Sequence, residues 1–335
     1  MARSGESFVL IAEKPPRDEE TQFVAWWSSD GYHWRLAQQF PENERIVALA
    51  AGGPGFVATA RNDEGASVWT SIDGRSWQSV HDESLRQGVI NQLVPTASGL
   101  VGFGWDYDTG DPGIWTSRDG IEWLAATNET GRIVANGLQA VGAYDGRAIA
   151  IVDQDDDRGG LGVFETTGRA EWSEIGRFPT ASLNVHKIVG GPRGWVAFGD
   201  DSLAWASPDG RRWTDADWGP DVAADVIADQ SGFIAVGWVG SLPGETCGDQ
   251  RPFAGQTWTS SDGMTWQRMP GGDDFSSAAV TKLFISDRTL VGFGFRIGNW
   301  PDEPMRVGRW TAQLPDVSMP ADGPDKPTKP KFCGG

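Results

Sequence analysis

Apolar residues in this chain fall in short runs and never in the 3.6-residue stripe of an amphipathic helix. Seven such runs recur, most of them entered through glycine: Phe8-Val9-Leu10, Gly55-Phe56-Val57, Gly99-Leu100-Val101, Gly146-Arg147-Ala148-Ile149, Gly194-Trp195-Val196, Gly232-Phe233-Ile234 and Leu290-Val291. The first six each precede a polar turn held between two aromatics. The clearest turn windows are Trp26-Trp27-Ser28-Ser29-Asp30-Gly31-Tyr32-His33-Trp34 and Trp69-Thr70-Ser71-Ile72-Asp73-Gly74-Arg75-Ser76-Trp77. Trp115–Trp123, Trp205–Trp213 and Trp258–Trp266 repeat the pattern, with Ser117, Asp119, Ser207, Asp209, Ser260 and Asp262 in the matching places. The window from Phe164 to Trp172 has lost the aspartate, and Trp310-Thr311-Ala312 begins the pattern and stops. A further short strand precedes the apolar run in repeats two to seven, as at 46–50, 90–94, 186–189 and 280–285, and another follows the turn in repeats one to six, as at 77–80. The order is therefore strand A, tight turn, strand B, variable loop, strand C, Ser-x-Asp-Gly turn, strand D. Four short strands every ~40–50 residues predict the blades of an all-β propeller.

Asp and Gly tolerate the left-handed backbone of a tight hairpin, and an Asp side chain accepts hydrogen bonds from turn amides. The repeated Ser, Asp and Trp residues are accordingly expected to build turn and core. Seven four-stranded antiparallel blades over residues 7–314 are predicted, with six as the alternative. The first repeat shows B, C and D without an A strand, so residues 1–6 read as a lead. The seventh shows A, B and C without a clear D. Residues 315–335, rich in Pro and Lys, read as an extended strap.

The turn motif resembles the Asp-box, or bacterial neuraminidase repeat, of sialidases, xyloglucan-degrading glycosidases and a photosystem assembly factor. The usual family pattern is Ser-x-Asp-x-Gly-x-x-Trp; here the turn is one residue shorter. The resemblance covers about residues 7–314 and implies the propeller fold. It implies little about activity, because this scaffold hosts many.

Composition narrows the function. The 335 residues carry a net charge of −18, which disfavours nucleic-acid binding. No stretch approaches the ~20 apolar residues of a membrane span, and Met1–Glu6 does not start a signal peptide. Three histidines, His33, His81 and His186, leave little material for a multi-His metal site or a Ser-His-Asp triad. Cys247 and Cys333 are too few for a cysteine-only zinc site. A disulfide between them is expected to pin the tail to the longest B–C loop, which implies an extracellular or cell-envelope location.

Families of this fold place ligands on the face of the B–C and D–A loops. Length varies here in the B–C loops 13–22, 105–113, 152–160, 238–256 and 296–308, which also carry much of the acid. Variable loops on a rigid scaffold are where function concentrates. Asp153, Asp155 and Asp157 alternate as in hard-cation loops, but Arg158 replaces the turn glycine and Phe164 the closing glutamate, so only a looser Ca²⁺ site is open to them. Trp105, Trp218, Trp238 and Trp300 fall at or in these loops and are not explained by the turn motif or a B strand. With Asp106, Tyr107 and Asp108 they are the candidate ligand residues, indoles stacking on sugar rings and carboxylates accepting hydroxyl hydrogen bonds. The expected role is a monomeric, non-catalytic binding or scaffold propeller for a polysaccharide or protein. The alternative is a sialidase-like or other glycoside hydrolase. Tyr107 is its plausible face tyrosine and Arg17, Arg251, Arg296 and Arg306 its possible cations, while Phe295-Arg296-Ile297-Gly298 lies in the last repeat, where the sialidase arginine motif belongs in the first.

Overall fold

The computed structural model describes residues 1–14, 22–62, 65–85, 88–96, 98–106, 109–126, 129–154, 160–167, 171–179, 184–218, 222–240, 253–269, 278–286, 289–296 and 306–313. It divides into two compact units, Met1–Phe178 and Pro179–Gly335. The fold class is the predicted one, a seven-bladed β-propeller built from antiparallel sheets.

The first unit holds four blades in A-B-C-D order. Blade one is Ala2–Ser4, Ser7–Lys14, Gln22–Ser28 and Arg35–Gln39; blade two is Arg45–Gly52, Gly55–Asn62, Gly65–Ser71 and Gln78–Val80. Blade three is Gly88–Thr96, Gly99–Asp106, Pro112–Ser117 and Leu124–Ala125; blade four is Leu138–Tyr144, Arg147–Asp153, Leu161–Thr166 and Ser173–Arg177. The second unit holds blade five (Val185–Gly191, Gly194–Gly199, Ala204–Ser207, Thr214–Asp215) and blade six (Val222–Ala228, Phe233–Val239, Ala254–Ser260, Gln267–Arg268). Blade seven has three strands among the described residues, Ala278–Ser286, Thr289–Arg296 and Arg306–Gln313. The expected strap at 315–335 lies outside them.

Two expectations are corrected. Residues 1–6 are not a lead: Ala2–Ser4 is the missing A strand of blade one, paired Ala2↔Val9 and Ser4↔Ser7. Three residues with one apolar side chain are too few to show a period of two, so only the pairing partner reveals the strand. The chain also contains a helix, Glu129–Gly137, in the D–A connection between blades three and four. Nine residues are too short to be helical alone. Tertiary packing holds them, with fully buried Val134 in the core shared with Phe103, Ile114, Val141 and Phe164.

The core runs between blades. Ala50, Val57 and Val68 of blade two meet Ile90, Leu100 and Trp115 of blade three. Val196 and Phe198 of blade five meet Val226, Phe233 and Trp258 of blade six. Nine of the twelve turn-motif aromatics are buried, Trp77, Trp115, Trp123, Phe164, Trp172, Trp205, Trp213, Trp258 and Trp266, while Trp26, Trp34 and Trp69 are partly buried. Polar stitches add to this packing. The Asp82 carboxylate accepts from the N–H groups of Ser84, at 2.8 Å, and Trp123, at 2.9 Å, joining the end of blade two to blade three.

The Ser-x-Asp-Gly turns are closed by their own side chains. In all five intact repeats the serine Oγ (Ser28, Ser71, Ser117, Ser207, Ser260) accepts from the glycine N–H at 2.8 Å. The aspartate Oδ1 (Asp30, Asp73, Asp119, Asp209, Asp262) accepts from the N–H two residues on, also at 2.8 Å. The closing tryptophan Nε1 donates to the glycine carbonyl at 2.9–3.2 Å. Gly120 shows why glycine is required: φ is +76°, and a Cβ would stand 2.6 Å from Val57 Cγ2. Amides two and three residues on, the His33 N–H at 2.8 Å from Asp30 Oδ1 among them, hold several of the carboxyls below the ordinary range. The leading cause is the N–H of His33 for Asp30, of Arg75 for Asp73 and of Ile121 for Asp119. For Asp209 burial pulls upward first, and the N–H groups of Arg211 and Arg212 outweigh it.

Candidate functional site

Each B strand ends at the variable B–C loop, and the residue before its end is aromatic in several blades. Trp105 holds that place in Gly99–Asp106, Trp238 in Phe233–Val239 and Phe295 in Thr289–Arg296. All three are partly exposed. Phe198 holds it in Gly194–Gly199 and is buried at 2% exposure. The same strand position therefore carries an aromatic ring in each of these blades.

In the first unit, Trp105 pairs with Pro112 across the blade-three hairpin. The loop beyond it is closed by Asp106, whose Oδ1 accepts from the Thr109 N–H at 2.9 Å and the Thr109 hydroxyl at 3.2 Å. Asp106 therefore shapes the loop. Tyr107 and Asp108 lie outside the described residues.

In the second unit, Trp238 lies 6.1 Å from the Phe253 ring at 34° between planes. Phe253 stacks in turn on Phe295, 6.4 Å away at 19°. Phe253 was not among the expected ligand residues, and Phe295 was noted only within the displaced arginine motif. Strand register across two blades, not sequence spacing, brings these rings beside Trp238. Trp300 lies outside the described residues.

Trp218 is a correction. It is buried at 5% exposure, edge-on to Phe198 at 4.9 Å and to Trp266 at 5.0 Å, with Trp258 at 4.8 Å. The ring packs inward against the blade-five and blade-six core and offers no platform.

Blade four carries a cavity of about 900 Å³. The helix Glu129–Gly137 lines it through Ile133 and Asn136, the B–C loop through Asp153 and Gln154, and the D-strand side through Trp172 and Glu174. Asp153 is exposed. Asp155 and Asp157, its expected partners around a cation, lie outside the described residues. Among the described residues no group of three or more His, Cys, Asp or Glu is placed to hold a metal ion. Cys247 and Cys333 also lie outside the described residues. No helix among the described residues is long and apolar enough to cross a membrane.

No family model and no curated protein matches the sequence. Solved structures do match. The chain is similar to YCF48 bound to D1 peptide, at 14% identity and a TM-score of 0.54 over 95% of this chain and 98% of that one. It is similar to an acylaminoacyl peptidase of Pyrococcus horikoshii, at 10% identity and a TM-score of 0.57 over 94% of this chain. It is similar to puromycin hydrolase, at 10% identity and a TM-score of 0.55 over 93% of this chain. It spans about half the length of these last two, 51% and 52%. At such identities the likeness is one of fold, and the fold is the β-propeller.

Proposed function

We propose that this chain is a non-catalytic binding module whose B–C loop ends take a neutral polysaccharide. One observation carries the reading: Trp105, Trp238 and Phe295 occupy the same place at the end of their B strands and stay partly exposed. Flat rings at such strand ends suit stacking on the apolar faces of sugars. The −18 net charge adds carboxylates that accept hydroxyl hydrogen bonds and repel polyanions. Variable loops on fixed blades support recognition in preference to a common chemistry. The expected Cys247–Cys333 disulfide supports an extracellular or cell-envelope location.

The test is binding to an array of neutral and sialylated glycans and of peptides, with and without Ca²⁺, together with an assay for released reducing ends. Retention on neutral glycans without release supports the reading. Release of reducing ends establishes a glycoside hydrolase instead. Binding to peptides alone, the ligand class of the YCF48 complex, also overturns it.

A further inference from the structure

We propose that the blade-four cavity is a second binding site, one that takes a single small polyhydroxylated ligand of sugar size. The fourth turn window has Gly168 where the other repeats have aspartate and Arg169 where they have glycine. In the five intact repeats the closing tryptophan donates Nε1–H to the glycine carbonyl. Trp172 closes the altered repeat, is 4% exposed, and its Nε1–H has no hydrogen-bond partner. Across the same cavity, Gln154 Oε1 is likewise buried and without a partner. An orphan donor and an orphan acceptor thus belong to two side chains that line one cavity. Native proteins leave few such groups, and each costs stability until something meets it.

The chemistry of the walls selects the ligand. A hydroxyl donates and accepts, so a polyol meets both Trp172 Nε1–H and Gln154 Oε1, whereas an anion meets only the first and an ammonium only the second. The Asp153 carboxylate and the Asn136 amide add acceptors and one more donor, and Asp153 disfavours an anion, while Glu174 is paired with Arg177 at 3.1 Å. Ile133 and Phe164 supply apolar wall for the carbon face of a sugar. A volume of about 900 Å³ lies within the range of small-molecule pockets. Both orphan atoms are pressed into the wall, and turning the Gln154 amide brings its Oε1 to the ligand. That amide lies over Gly162, where a Cβ would meet Gln154 Cδ at 2.8 Å and Phe164 Cε2 at 2.8 Å.

The experiment is ligand-observed saturation-transfer NMR on the full chain. Glucose, galactose, mannose, lactose and cellobiose are the probes at millimolar concentration, with inorganic phosphate and ethanolamine as controls. At least one saccharide is expected to bind, and neither control. Gln154→Leu and Trp172→Phe are each expected to raise its Kd about tenfold. Gln154→Leu removes an orphan atom from a loop, so its Tm is expected to stay or rise, which separates a ligand role from a structural one. Binding by no saccharide overturns the proposal, as does saccharide binding that both variants leave intact. The Gln154→Leu and Trp172→Phe comparison is repeated in a Trp105→Ala/Trp238→Ala background, where the strand-end rings are removed, so failure at the rings and failure at the cavity are read apart.

Discussion

The backbone N–H of Leu283 in blade seven donates to the Asp225 carboxylate of blade six at 2.8 Å, across 58 positions of sequence. Asp225 is buried at 2% exposure. It also holds the Lys187 ammonium of blade five in a short bond and that of Lys282 of blade seven at 3.3 Å. Lys187, Asp225 and Lys282 each follow the bulge in their A strand, so the same irregularity places all three charges. One carboxylate ties three blades of the second unit. Asp225→Ala is expected to cost about 3 kcal/mol by chemical denaturation. That is the low end for breaking a buried pair, because both lysines reach solvent.

The same carboxylate gives the second unit an acid limit. Burial alone would raise its pKa, but Lys187, Lys282 and the Leu283 N–H together hold it below the ordinary range. A depressed carboxyl contributes stability above the unfolded value near ~4 and loses it as pH falls through the folded value. The Tm of the wild type should therefore fall more steeply below that range than the Tm of Asp225→Asn. Parallel Tm–pH curves for the two proteins would contradict this.

Ser117 Oγ accepts from the buried Gly120 N–H at 2.8 Å. Ser117→Ala leaves that donor unmet and should cost about 1–3 kcal/mol. Ser29, at the exposed variable place of the first turn, is the control. Ser29→Ala should stay within about 0.5 kcal/mol of wild type by urea unfolding.

Trp115 and Trp105 separate core from rim within one blade. Trp115 is 5% exposed and donates Nε1–H to the Ser84 carbonyl at 3.2 Å. Trp115→Ala should cost about 3–5 kcal/mol. Trp105→Ala should lower Tm much less while weakening binding to a neutral polysaccharide, measured by affinity electrophoresis. Equal losses of stability would show that Trp105 is a packing residue.

Cys247 and Cys333 are expected to yield no free thiol when the oxidised protein is titrated under denaturing conditions, and two after reduction. Two thiols without reduction would remove the expected link between loop and tail.

Sequence alone determined the repeat, the strand order and the turns. Those rest on local chemistry: period-two apolar runs, a left-handed glycine, and a serine and aspartate that bond amides two or three residues away. Each feature is written within one blade, so reading along the chain finds it. Trp195 stands within the apolar run of a B strand and is 3% exposed. What joins one blade to the next was not legible. Ala2–Ser4 became a strand only beside Ser7–Lys14, and Glu129–Gly137 a helix only against the core of blades three and four. Trp218 looked like a loop indole until the fold laid it on Phe198 and Trp266. The Trp238–Phe253–Phe295 series needed the register of two blades, and the blade-four cavity needed a helix, a loop and a D strand brought together. One trace of that cavity did stand in the sequence: the broken fourth turn removed the glycine that meets the closing tryptophan in every intact repeat. Local hydrogen bonds fix turns within a few residues, whereas burial depends on what the rest of the chain places on top, and only the tertiary structure decides that.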